Sequence, residues 1–158
     1  MELTINDKID QLEANMQGCQ KVDCPLNHRF IGGMYIREIL MPAGSLITSM
    51  EHLTTHPYFV LQGRVSVYSD NFGEQLITAP YTGTTIPNTR RVLFVHEDCV
   101  WVTIHRTDVV PKDESQESIE EAVKIVEDTI LSKRENMILG GRIKNNIITH
   151  SIEVQCPS

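Results

Sequence analysis

Between Met34 and Arg106 the chain is a succession of short runs rich in Val, Ile, Tyr and Thr, broken by Pro, Gly, Asn and Asp at strand-plus-turn spacing. Branched and aromatic side chains fit a pleated surface better than a helix. The pattern is that of an antiparallel barrel or sandwich. It predicts strands near 34–40, 46–52, 56–62, 64–69, 74–78, 84–86, 90–96 and 100–106, with turns at Pro42-Ala43-Gly44, Gln62-Gly63, Asn71-Phe72-Gly73, Pro87-Asn88 and Glu97-Asp98-Cys99.

The flanks read differently. Ile5, Ile9, Leu12 and Met16 fall on one stripe of a short amphipathic helix ended near Gly18, suited to packing on the outside of the β region. After Pro111 a second helix is expected, capped by Ser115 or Ser118, with Lys133 and Arg134 in its last turn and Ile119, Val123, Val126 and Ile130 as its buried stripe. Gly140-Gly141 breaks it. The tail from Arg142 carries Ile147, Ile148, Ile152 and Val154, which suit an edge strand or a contact with another subunit. The organisation is therefore residues 1–22 as an N-terminal helical segment, 23–110 as the β-barrel and 111–158 as C-terminal helix and tail, one structural domain overall.

At 158 residues the chain is long enough to bury a core of its own. A net charge of -7 disfavours nucleic-acid phosphates and anionic lipid as partners. Much of that charge sits between Asp113 and Glu127, so the β region is closer to neutral and remains able to hold an anion. No apolar run reaches the ~20 residues that span a bilayer, and the start MELTINDKID lacks the features of a signal peptide, which points to the cytoplasm. Cys19, Cys24, Cys99 and Cys156 form no C-x-x-C pair and are expected to remain thiols there.

Histidine is the residue type that carries chemistry here. Alternate side chains of a barrel strand point inward, so imidazoles on neighbouring strands can converge on one metal ion. His52 and His56 lie four residues apart across the bend Leu53-Thr54-Thr55 and can both face the interior. In this frame Gly44, Met50, His52, His56 and Gly63 occupy the marked positions of G-x5-H-x-H-x3-E-x6-G, the first motif of the cupins. Three agree in type; Met50 replaces a histidine and His56 the glutamate. The second motif, P-x-G-x2-H-x3-N, is met by Pro87, with Thr89, Val92 and His96 at its other positions. A hairpin turning at Asp98-Cys99 would pair His96 with Trp101 and Val92 with His105, bringing His105 beside the missing ligand position.

From Asp23 to His105 the chain resembles small cupin-like proteins common in bacteriophage genomes, through Cys-Pro-Leu-x-His, Arg-Glu-Ile-Leu-Met-Pro-Ala-Gly, Thr-Arg-Arg-Val and His-Glu-Asp-x-Val-Trp. The resemblance implies a mainly β cupin jelly-roll barrel and a metal site of His52, His56, His96 and His105. Imidazole ligands without carboxylate suit Zn, Fe, Ni or Cu rather than Mg or Ca. Tyr58 and Arg90 share the inward parity and are candidates for ligand binding, Arg90 by pairing with a carboxylate or phosphate. Trp101 is expected to pack between barrel and helix.

Three functions compete at this level. One is a metal-dependent enzyme acting on a small polar molecule, the second a non-catalytic module binding such a molecule, and the third a homo-oligomeric structural or assembly protein. A dimer, and host cytoplasm if the protein is phage-encoded, complete the expectation.

Overall fold

The computed structural model describes residues 2–70 and 72–132 together with the backbone of residues 142–144. Helix α1 (Ile5–Met16) is followed by strands β1 (Leu26–Ile31), β2 (Met34–Met41), β3 (Ser45–Thr48), β4 (His56–Ser69), β5 (Gly73–Thr78), β6 (Tyr81–Thr85) and β7 (Arg91–Arg106), then by helix α2 (Gln116–Ile130) and the short strand β8 (Arg142–Lys144). The protein is mainly β and antiparallel, with a helix on each side of the strand region.

Two long strands run through the whole sheet. β4 and β7 pair with each other from Tyr58↔Thr103 to Ser69↔Arg91. Beyond Cys99, β7 also pairs with β2, which carries β1 at its far side; between Val92 and Phe94 it pairs instead with β3, which carries β8. β4 likewise takes β6 along its first part and β5 along its second. The sheet therefore bends into two halves that share β4 and β7. Among the described residues it is not closed as a barrel.

This arrangement corrects two predicted turns. Gln62-Gly63 lies inside β4, where the register with β7 shifts between Val60 and Val65. Gly63 adopts φ +91°, and a Cβ there would collide with the Asp98 backbone, so the close approach of the two strands needs glycine. Glu97-Asp98-Cys99 similarly belongs to the continuous β7. One strand was not predicted: β1, joined to β2 through Gly32 and Gly33, both at positive φ.

The inner face holds the main core. His56, Tyr58 and Val60 point inward before the irregularity in β4, and Val65 and Val67 after it, so the extra residue shifts the inward parity. On β7 the inward residues are the odd ones: Leu93, Val95, Cys99 and Trp101 join the core with Ile39, Met41, Ile47 and Ile77. Even positions face out. There Val92 and Leu46, with Phe94 and Tyr68 at the margin, meet Ile9, Leu12 and Met16 of α1, the stripe that the sequence periodicity predicted. Burying each such side chain contributes about 1.5–3 kcal/mol.

Thr4 caps α1 in a reciprocal capping box with Asp7, and Ser115 caps α2 by accepting the N–H of Ser118. α2 stops earlier than predicted. It ends at Ile130 with no basic residue in its last turn, because Leu131 turns extended to bridge His52 and the Ser132 N–H donates to Glu51 O. Lys133, Arg134, Gly140-Gly141 and the run Ile147, Ile148, Ile152 and Val154 lie outside the described residues. Cys24 and Cys99 are buried, and burial pushes the Cys99 thiol up to about 11. Cys19 is disulfide-bonded, which corrects the expectation of a thiol. No helix among the described residues is long and apolar enough to cross a membrane.

Candidate functional site: a histidine row beside a cationic cavity

The segment between β3 and β4 delivers two histidines. His52 is held by its backbone, its N–H donating to Thr89 O and its carbonyl accepting from Asn88 N–H, while Leu131 bridges its other side. His56 opens β4 opposite Thr85 and points inward. His105 arrives from the far end of β7, opposite Tyr35 of β2. The three rings form a row, with centroids 5.0 Å apart for His52 and His56 and 4.1 Å apart for His56 and His105. Tyr35 stacks beyond His105 at 5.7 Å and its hydroxyl meets His28 Nδ1 at 2.6 Å.

Each ring in the row keeps one buried nitrogen without a hydrogen-bond partner: His52 Nδ1, His56 Nε2 and His105 Nδ1. His56 Nδ1–H donates to Thr54 O at 3.1 Å, which fixes the neutral tautomer with its lone pair on Nε2. His105 Nε2 shares a 2.9 Å bond with Thr103 Oγ1. Burial is the leading cause that lowers all three pKa values, His105 to about 3, and neighbouring His and Arg charges lower His52 and His105 further. At neutral pH the row is therefore uncharged, the form in which imidazole ligates a metal.

Three neutral imidazoles with unused buried nitrogens match the chemistry of a divalent transition ion. Ligating nitrogens around one zinc lie about 3.3 Å apart, a separation within reach of rings this close. As they stand, no three His, Cys, Asp or Glu side chains among the described residues are arranged to hold an ion.

Two residues singled out in the sequence lie elsewhere. His96 is on the outer face, edge-on to Phe94 and bonded at 2.7 Å to Ser66 Oγ. Arg90 is directed at α1: its guanidinium meets Asp10 at 2.7 Å and the fully buried Glu13 at 2.9 Å, and Thr48 donates to the same Glu13 oxygen. Both displacements have one physical cause. β7 begins at Arg91 after Asn88 at φ 67°, and its inward positions are odd, one residue out of step with the predicted alternation. The hairpin pairing of His96 with Trp101 falls with the turn it required, yet His105 reaches the inner face by strand parity.

Arg91 takes the place in the interior that the sequence reading gave to Arg90. A cavity of about 550 Å³ is bounded by Arg91 and His52, by Lys21 and Arg37, by Thr103, and by an apolar wall that includes Ile47 and Trp101. The Arg91 guanidinium lies 4.9 Å from the Tyr58 ring centroid and 5.8 Å from that of Trp101, and Nη2 donates to Thr85 Oγ1 at 3.0 Å. Tyr58 stacks on Trp101 at 4.5 Å, so it backs Arg91, and burial pushes its hydroxyl up to about 12. Trp101 is thus a cavity wall, where a contact between barrel and helix was expected. Arg91, Arg37 and Lys21 carried no sequence signal beyond a parity that was misread.

No protein-family model matches the sequence, and no curated protein matches it. Among solved structures, the ectoine synthase of P. lautus is similar over 96% of this chain and 95% of its own, with 9% identity and a TM-score of 0.51. An RmlC-like cupin family protein with a double-stranded β-helix fold, from Methanocaldococcus jannaschii, is similar over 54% of this chain and 81% of its own, with 8% identity and a TM-score of 0.44. The fold is cupin-like, as the motif spacing implied.

Proposed function

We propose that this protein is a metal-binding cupin that takes a small polar molecule into the cavity beside His52. The observation that carries the reading is the row of three buried imidazole nitrogens without partners, at His52, His56 and His105. Leaving three buried ring nitrogens unpaired is costly unless something binds them. These three residues would hold the ion, drawn from Zn, Fe, Ni or Cu; His96 is no longer part of the set. When bound, such an ion supplies Lewis-acid polarisation of a ligand oxygen or lowers the pKa of water.

The chain's own residues do the rest. His52 lies at the cavity wall and links the row to the bound molecule, Arg91 and Thr103 orient that molecule, and Trp101 with Ile47 keeps water away from it. No Asp or Glu is among the described lining residues, which supports binding over hydrolysis. A dimeric and phage-associated setting rests on the sequence resemblance and is part of this proposal, as is a cytoplasmic one.

Elemental analysis of the protein purified without a histidine tag tests it. One transition ion per chain is expected, lost on His56→Ala with the thermal transition still cooperative. A metal-free protein that also fails to take up added zinc, nickel or iron(II) would end the metal reading.

A further inference from the structure

We infer that the cavity selects an organic anion, with a carboxylate received by Arg91 and an apolar body lying against Ile47, Leu93 and Trp101. This rests on the reading of the cavity as a small-molecule site and deepens it; it does not depend on the metal. The first argument is charge. The chain as a whole carries -7, yet the described lining of the cavity contains Lys21, Arg37 and Arg91 and no Asp or Glu. A wall of one sign in a low-dielectric cleft concentrates ligands of the other.

The second argument is the state of Arg91. It is 5% exposed, and no carboxylate among the described residues pairs with it. Its contacts are neutral: the Thr85 hydroxyl and the faces of Tyr58 and Trp101. These solvate a guanidinium without neutralising it, and a buried cation is costly until a counter-charge arrives. Arg90, one position earlier, shows what this chain does with a structural arginine: it supplies Asp10 and Glu13.

The third argument is shape and composition. About 550 Å³ accommodates a small organic acid, and Val22, Ile39, Met41, Ile47 and Leu93 give its body an apolar bed. A guanidinium fork matches the planar carboxylate. Thr103 adds a hydroxyl at the same wall.

Trp101 is the only tryptophan, so its fluorescence reports occupancy of the cavity directly. The experiment titrates the full chain with hexanoate, with the neutral hexanamide and with inorganic phosphate, in metal-free and zinc-loaded protein, for wild type, Arg91→Met and Arg91→Lys. Saturable binding of hexanoate is expected, weakened about tenfold or more by Arg91→Met and less by Arg91→Lys. Hexanamide and phosphate should bind more weakly than hexanoate, one lacking the charge and the other the apolar body. Equal binding of hexanamide, or unchanged hexanoate affinity in folded Arg91→Met, overturns the anion assignment and leaves the small-molecule site standing. Tighter binding of phosphate overturns the carboxylate. If none of the probes binds, the inference fails together with the cavity reading, while the metal content measured separately still decides the histidine row.

Discussion

Arg90 and Arg91 are neighbours in sequence at the start of β7, and their side chains point to opposite sides of the sheet. The first is turned toward α1, where Asp10 and Glu13 meet it; the second is turned toward the cavity, where among the described residues a hydroxyl and two aromatic faces do. Both are buried, at 3% and 5% exposure, so solvent does not explain the difference. Among the described residues the outer face supplies Arg90 with two carboxylates, whereas the inner face gives Arg91 none and keeps three imidazole nitrogens without partners. Where a fold leaves such costs uncompensated, the compensation is expected from a ligand.

The comparison can be broken most forcefully at Arg90. Arg90→Met should destabilise the protein by about 3–5 kcal/mol in urea denaturation, because it strands Glu13 in the interior. Adding Glu13→Leu should recover much of that loss; a single variant as stable as wild type would mean that the α1 pairing contributes nothing. Next in size is Gly63→Ala, expected to cost about 1–3 kcal/mol through the positive φ and the collision with Asp98. A neutral result there would show that β4 and β7 can separate without penalty. His96→Ala, which loses a part-buried bond to Ser66 and an edge contact with Phe94, should change stability by about 0.5 kcal/mol or less. Arg91→Met sharpens the contrast with its neighbour: without a paired carboxylate to strand, it should leave stability unchanged or raise it. A loss as large as that of Arg90→Met would make Arg91 a structural arginine after all.

Much of the scaffold is legible in the sequence because one-sided burial leaves a period. Ile9, Leu12 and Met16, and Val123, Val126 and Ile130, form the stripes that their spacing predicts. His52 and His56 come together because the bend between them preserves parity. β7 is different. α1 covers its outer face, so Val92 and Phe94 on one side and Leu93 and Val95 on the other are all apolar, and alternation no longer tells inside from outside. That is why alternation alone places Arg90 and His96 inward and gives Arg91 no signal. Gly63 and Asp98 misled for a related reason: a close approach of two strands uses the same residue types as a turn. β1 has mostly exposed residues and shows too little alternation to register.

Cobalt(II) tests the central claim, that chemistry belongs to the inner face. Titrated into tag-free protein, cobalt should give a saturable visible absorption band characteristic of nitrogen ligation, unchanged in His96→Ala and lost in His105→Ala. A band that survives in His105→Ala, or one that disappears in His96→Ala, would contradict the account.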